Sequence, residues 1–102
     1  MLTSKQRAYL RGLAAKEDTI LQIGKDGITE KTAETMSDML RARELVKGRV
    51  LENSMLTARE ACETLSARCR AEQVQVIGSK FVLYKRNEQK PVIELPKAAT
   101  KK

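Results

Sequence analysis

Two glycines that bracket a lysine and an aspartate form the pattern in this chain best suited to binding an anion. The tetrapeptide Gly24-Lys25-Asp26-Gly27 follows a short apolar run at positions 19–23. Glycine lets the backbone turn tightly and approach a ligand, and main-chain N–H groups in such turns bind phosphate. Lys25 adds positive charge, whereas Asp26 opposes an anion unless its side chain points away. The pattern predicts an anion-binding loop, with an ordinary strand-to-helix turn as the alternative interpretation.

Other chemistry is poorly represented in the sequence. The chain has no histidine, and no nucleophile stands in a recognisable arrangement with a base, so we expect no enzymatic activity. The glycine loop matches neither GxxxxGK[ST] nor GxGxxG, which argues against a nucleotide cofactor. Two cysteines without a CxxC pair or a histidine lack the usual zinc ligands. We therefore expect neither a cofactor nor a metal. GxxG loops of KH modules, by contrast, hold a nucleic-acid backbone.

The charge balance indicates a polyanionic partner. Twenty Lys and Arg residues against 13 Asp and Glu residues give a formal net charge of +7 and a pI near 9.7. Lys5, Arg7 and Arg11 precede the first acidic residue and lie on a predicted helix. Lys47 and Arg49 alternate with apolar residues and should point outward from a strand. These five residues are candidates for a basic binding surface, and a merely solvated helix face is the alternative for the first three.

Hydrophobic periodicity and capping signals divide the chain into seven elements. Helices are predicted at 3–15, about 30–43 and about 58–71, and strands at 19–23, 45–52, 73–77 and 80–86. The order is α-β-α-β-α-β-β. A length of 102 residues fits one domain, placed at 1–96. The expected fold is a two-layer α/β sandwich, in which helices cover the apolar side of a mixed four-stranded sheet.

The last two strands are predicted to form a hairpin around Gly78-Ser79, with Ile77 opposite Lys80. This register places the apolar side chains Val74, Val76, Phe81 and Leu83 on one face, with Val74 opposite Leu83. The other face, with Gln73, Gln75, Val82 and Tyr84, should be mixed and polar. Tyr9 and Phe81 are expected to be buried, which leaves few aromatic side chains for stacking on bases.

Cys62 and Cys69 are predicted to be buried thiols that do not pair. On one helix they are separated by about 10 Å along the axis, beyond the ~7 Å that a disulfide allows between Cα atoms. No stretch approaches the ~20 apolar residues that span a bilayer, so we expect a cytoplasmic protein. Residues 92–95 could add an edge strand, and residues 97–102 are expected to form a disordered basic tail.

Four parts of the sequence, in order and spacing, carry a family resemblance. They are Leu2–Arg7 with Leu10–Ala14, Ile23–Thr29, Glu44–Lys47, and Val74–Gly78 with Val82–Lys85. With these motifs the chain resembles the CRM RNA-binding domain, named for chloroplast RNA splicing and ribosome maturation, in its free-standing bacterial YhbY-type form. The resemblance extends to about residue 96.

The resemblance implies a fold like the C-terminal domain of bacterial translation initiation factor three. It also implies binding of structured RNA through the GxxG loop and adjacent basic surface, and association with precursors of the large ribosomal subunit. By position, Gly24, Lys25 and Gly27 would form the loop that clamps the RNA backbone. Ribosomal RNA is thus the expected partner, and no membrane or small-molecule substrate is expected. The protein is expected to be a monomer.

A different class of function remains compatible with the sequence. A protein-interaction adaptor could dock an acidic or ribosomal protein through its first helix, with the glycines serving only the turn. A DNA-binding regulator is disfavoured, because nothing resembles a helix-turn-helix.

Overall fold

The computed structural model describes residues 2–87 together with Gln89 and Ile93. Three helices and four strands alternate along this part of the chain. They are α1 (Ser4–Ala14), β1 (Leu21–Ile23), α2 (Glu30–Arg43), β2 (Leu45–Val50), α3 (Ala58–Cys69), β3 (Glu72–Ile77) and β4 (Lys80–Tyr84). The predicted order of elements is confirmed.

The four strands form one mixed sheet in the order β1-β2-β4-β3. Strand β1 runs parallel to β2, and β4 runs antiparallel to both of its neighbours, β2 and β3. The last of the described strands, β4, therefore lies in the interior of the sheet, and among the described residues β1 and β3 form its two edges. Because β1 and β2 are parallel and α2 connects them, their carboxyl ends meet at the same end of the sheet.

Each helix begins at a threonine that closes a capping box. Thr3, Thr29 and Thr57 accept a hydrogen bond from the backbone N–H three residues later, and a side chain at that later position binds back to the cap. Such reciprocal bonds satisfy two of the unpaired donors at a helix start. The capping signals in the sequence predict helix starts at these three places, and the structure agrees with them.

The larger hydrophobic core lies between the sheet and the pair α2 and α3. Its buried side chains are Leu21, Ile23, Met36, Leu40, Val46, Val50, Ala58, Ala61, Cys62, Leu65, Cys69, Phe81 and Leu83. Phe81 fills the space over Gly48, its cross-strand partner. A Cβ at Gly48 would lie 2.5 Å from the Phe81 ring, so the core requires glycine at this position.

A second core lies on the opposite face of the sheet, under α1. It consists of Leu2, Leu10, Ala14, Leu45, Val74, Val82 and Tyr84. The α/β class and the mixed four-stranded sheet are confirmed, but the helices are not confined to one side as the predicted two layers require. Helix α1 covers the face of the sheet that the sequence predicts to be mixed and polar. It packs there because Val82 and Tyr84 give this face an apolar surface.

The hairpin register agrees with the prediction at its turn and departs from it further along. Ile77 pairs with Lys80, as predicted, but Leu83 pairs with Gln73 rather than with Val74. A β-bulge between Gln73 and Gln75 inserts Val74 as an extra residue in β3, and this shifts the register by one position. The bulge turns Val74 toward α1, where it joins the second core.

Both cysteines are buried and free, as the sequence predicts. Burial raises the pKa of the Cys62 thiol to about 11 and also raises the pKa of Cys69. Among the helices of the described part, none is long and apolar enough to cross a membrane. The tail at 97–102 and the edge strand predicted at 92–95 lie outside the described residues, apart from Ile93, which packs against the second core.

Candidate nucleic-acid interface

The GxxG loop is a tight turn that presents Lys25 and Asp26 at its tip. The Gly27 N–H donates to the Gly24 carbonyl oxygen at 3.1 Å, which closes the four-residue turn. Both side chains at the tip are exposed. Gly27 has a φ of +68°, in the left-handed region that side chains disfavour. The turn itself therefore requires a glycine at its last position.

Gly24 is different, because the fold does not require it. Its φ is not positive, and a Cβ at this position would lie 3.7 Å from Asn53 Oδ1 and 3.8 Å from Leu51 Cδ1, which are ordinary contacts. An alanine would fit there without strain. The physical use that remains for this glycine is an open surface, over which a ligand can approach the backbone closely.

The backbone N–H groups of the turn differ in whether they already donate a hydrogen bond within the protein. The Gly27 N–H is occupied by the turn, so it cannot also bind a phosphate. Within the described residues, the N–H groups of Lys25 and Asp26 have no acceptor. These two amides, with the exposed ammonium of Lys25, are the donors that the loop can offer to an anion.

The loop lies where two helices begin. Helix α2 starts after β1 and helix α3 starts after β2, so both positive helix ends lie at the carboxyl ends of the parallel strands. Gly24 lies beside Asn53, and Gly27 lies beside Leu56, so the loop packs against the connection that precedes α3. The dipoles of both helices favour an anion over a cation at this end of the sheet.

Arg49 is the predicted basic residue that lies nearest to the loop along the sheet. Its strand neighbour Val50 pairs with Ile23, the residue before the loop, and Arg49 itself pairs with Gln22. The Arg49 side chain is exposed. It also lines a recess of about 500 Å³ between the 51–58 segment and the Gly78-Ser79 turn. The structure thus brings Arg49 and the GxxG loop to one end of the sheet.

Lys47 occupies a different position from Arg49 although it belongs to the same strand. Its Nζ donates a hydrogen bond to the Ala14 carbonyl oxygen at 3.2 Å, and the side chain is half-buried. Ala14 is the last residue of α1. The Lys47 charge therefore neutralises the negative end of this helix rather than standing open to a ligand.

The predicted basic residues of α1 lie apart from the loop. Arg7 Nε donates to the Gln73 carbonyl oxygen at 3.2 Å, which ties α1 to β3. Strand β3 is the edge opposite β1, and three strand spacings of ~4.8 Å separate the two edges by about 14 Å. Lys5 and Arg11 are exposed on the same helix. They form a basic area separate from the end of the sheet that carries the GxxG loop.

The aromatic residues differ in part from the expectation. Phe81 is buried, as predicted, and Tyr84 is buried as well. Tyr9 is 43% exposed, so the prediction that it lies in the core is wrong. The buried stripe of α1 passes through Leu10 and Ala14, and Tyr9 is turned about 100° away from Leu10. Tyr9 lies one turn after Lys5 on the exposed side of the helix.

The sequence did not single out Lys80 as a binding residue. Lys80 pairs with Arg49 across the sheet because β4 is inserted next to β2. Its hairpin pairing with Ile77 was predictable, but its position beside Arg49 depends on the order of strands, for which the sequence has no local signal. In the described part of the chain, neither Arg49 nor Lys80 forms an ion pair; the ion pair found there joins Arg41 to Asp38.

The sequence of this chain matches a known protein family over most of its length. Residues 2–85 match the model of the CRS1 / YhbY (CRM) domain. The match covers most of the chain, and the chain therefore belongs to this family.

Relatives of the chain carry names that refer to RNA. The chain is 38% identical over 96 residues to "Probable RNA-binding protein YqeI" of Bacillus subtilis (strain 168), covering 94% of this chain and 100% of that protein. It is 31% identical over 105 residues to "Probable RNA-binding protein MJ0652" of Methanocaldococcus jannaschii, covering 99% of this chain and 78% of that one. The solution structure of SAV1595 from Staphylococcus aureus, a hypothetical protein proposed to bind RNA, is similar with a TM-score of 0.78 and 49% identity; the match covers 94% of this chain and all of that one.

Proposed function

We propose that this protein binds structured ribosomal RNA through the GxxG loop and the adjoining basic surface, and that it acts in the cytoplasm during assembly of the large ribosomal subunit. The family membership and the names of the relatives support RNA as the partner. The net charge of +7 supports a polyanion. The role is one of binding rather than catalysis, and we propose that the protein acts as a monomer.

The observation that carries the proposal is the contrast between the two glycines of the loop. Gly27 is explained by its positive φ, whereas no contact within the fold explains Gly24. An RNA phosphate would approach over Gly24, accept from the Lys25 and Asp26 amides, and be neutralised by the Lys25 ammonium. With Tyr9 as the one exposed aromatic residue, recognition would depend mainly on the shape of the RNA backbone.

Ultraviolet crosslinking in cells, followed by sequencing of the recovered RNA, tests this function. The variant is Lys25→Glu, and the control is Arg68→Glu, which makes the same charge change on an exposed residue in the last turn of α3. We expect a focused peak in large-subunit ribosomal RNA with the wild-type and control proteins, and its loss in Lys25→Glu at an unchanged melting temperature. Scattered crosslinks, or a peak that survives in Lys25→Glu, would contradict the proposal.

The adaptor function predicts a different outcome. An adaptor would keep its partner after ribonuclease treatment of the cell extract, whereas an RNA-binding protein would lose the particles that it recovers. Retention of the same partners by Lys25→Glu after ribonuclease treatment would favour the adaptor.

A further inference from the structure

A row of four side chains crosses the sheet on the α1 side, next to the GxxG loop. Gln22 pairs with Arg49, Arg49 pairs with Lys80, and Lys80 pairs with Ile77, so the row includes one residue from each strand. We call these four residues the sheet row. They share a face because directly paired residues in a sheet point to the same side.

Helix α1 covers this face only in part. The second core, which lies under α1, includes Val82 and Tyr84, and these lie further along β4 on the same face as Lys80. The sheet row lies beyond this cover, since Gln22 and Arg49 are exposed and Ile77 is 60% exposed. Lys80 is half-buried. The row is therefore an open strip at the loop end of the sheet.

Arg49 and Lys80 place two positive charges directly opposite each other. The Cβ atoms of directly paired residues are about 5 Å apart, and like charges carried by directly opposite residues repel. Glu52 is the acidic residue closest in sequence to Arg49, and within the described residues it forms no ion pair with either cation. An anion that lies between the two positive charges is attracted by both of them and offsets their repulsion.

We propose that the sheet row holds a phosphate of the bound RNA between Arg49 and Lys80, with Ile77 packed against the sugar or base of a neighbouring nucleotide. The RNA strand would then pass from the GxxG loop across the end of the sheet to the Gly78-Ser79 turn. The exposed apolar side chain of Ile77 gives the strip a surface that water does not favour and a sugar or base can cover. This inference rests on the proposed function and adds a path for the RNA to it.

Lys80→Gln tests the path, and Lys85→Gln is its matched control. Both variants remove one positive charge, but Lys85 follows the other end of β4, about 17 Å from Lys80 at ~3.4 Å per residue. The probe is an in vitro transcript of large-subunit ribosomal RNA, and the readout is affinity over a range of salt concentrations. We expect Lys80→Gln to bind about tenfold more weakly at low salt and to reduce the slope of log K against log salt by roughly 0.7–0.9.

A stability measurement separates a binding role from a structural one. If the sheet row serves RNA, Lys80→Gln and Arg49→Gln each relieve repulsion in the free protein, so urea unfolding at low ionic strength should show unchanged or raised stability while RNA affinity falls. Loss of stability together with affinity would instead assign the two residues to the fold, and equal affinity of Lys80→Gln and Lys85→Gln would overturn the path. A wild-type protein that fails to bind the transcript would overturn the proposed function itself.

Discussion

Lys47 Nζ donates a hydrogen bond to the carbonyl oxygen of Ala14 at 3.2 Å, which fastens the last turn of α1 to the second strand of the sheet. The carbonyl groups in the last turn of a helix lack partners within the helix and carry partial negative charge. The Ala14 carbonyl oxygen also accepts from the Glu17 N–H at 3.0 Å, so the half-buried ammonium is its second donor and complements the helix dipole. Lys47 therefore helps to hold α1 over the second core.

We expect Lys47→Met to destabilise the protein by about 0.5–1 kcal/mol, because methionine retains the apolar stem but cannot donate to Ala14. The melting temperature should fall by roughly 4–8 °C per kcal/mol. RNA affinity should fall less than in Arg49→Met, since the Lys47 ammonium is already occupied. Thermal unfolding and RNA titration of both variants check this. A larger loss of affinity in Lys47→Met than in Arg49→Met would show that Lys47 contacts RNA directly.

The two loop glycines should respond differently to alanine. Gly27→Ala forces a Cβ into a left-handed conformation and should cost about 1–2 kcal/mol. Gly24→Ala makes only ordinary contacts and should change stability by less than about 0.5 kcal/mol, yet its methyl group would obstruct the approach of a phosphate. Urea unfolding combined with RNA titration separates the effects. Gly24→Ala with wild-type affinity would restore the ordinary-turn interpretation for that glycine.

Glu44 is a buried carboxylate that holds the segment after β4. Its Oε2 accepts from the Asn87 N–H at 2.6 Å and its Oε1 accepts from the Ile93 N–H at 2.5 Å. The residue is fully buried and has a φ of +65° at the end of α2. A left-handed glutamate costs backbone energy, and two charge-assisted hydrogen bonds offset that cost.

Glu44→Gln should destabilise the protein by about 2 kcal/mol, because the amide retains one acceptor oxygen and turns its NH₂ group toward a second N–H donor. Glu63→Gln, on an exposed face of α3, is the control and should have little effect. Urea unfolding measures the loss, and hydrogen exchange at Asn87 and Ile93 locates it. Unchanged exchange at both amides would mean that the carboxylate does not hold this segment.

Local signals in the sequence were sufficient for the elements but not for their arrangement. The threonine caps and the apolar periodicity act over three or four residues, and they predicted the order of helices and strands correctly. The side of the sheet that α1 covers depends on Val82 and Tyr84, far along the chain. The bulge at Val74 likewise has no marker in a run of alternating residues. These features come from packing between distant elements.

The candidate site was predictable to a similar degree. The GxxG loop is contiguous in sequence, and the turn has the form that its glycines predict. Lys47 and Arg49 have the same alternation in the sequence, and only the structure separates them, since Lys47 meets the end of α1 and Arg49 does not. Lys80 joins Arg49 because β4 enters the sheet beside β2. Net charge indicates a polyanion, but strand order decides which charges lie together.

The stability of the protein should decline in alkaline solution because buried groups resist ionisation. Burial raises the pKa of Cys62 to about 11, and burial together with the nearby Glu44 carboxylate raises the pKa of the Tyr84 hydroxyl. In the unfolded chain the Cys62 thiol ionises near its ordinary pKa of 9. The pKa of Cys62 is therefore higher in the folded protein than in the unfolded chain. The stability that this difference contributes is complete below pH 9 and is lost as pH rises toward 11.

Cys62→Ala isolates the contribution of the thiol to this pH dependence. The substitution leaves a small cavity and should lower the free energy of unfolding at pH 7, but the difference from wild type should narrow between pH 9 and 11, because only the wild-type protein then loses stability through Cys62. Urea unfolding at pH 7, 9 and 10.5 measures the two curves. If the two curves stay parallel, Cys62 ionises as easily in the folded protein as in the unfolded chain, which would contradict its burial in the larger core.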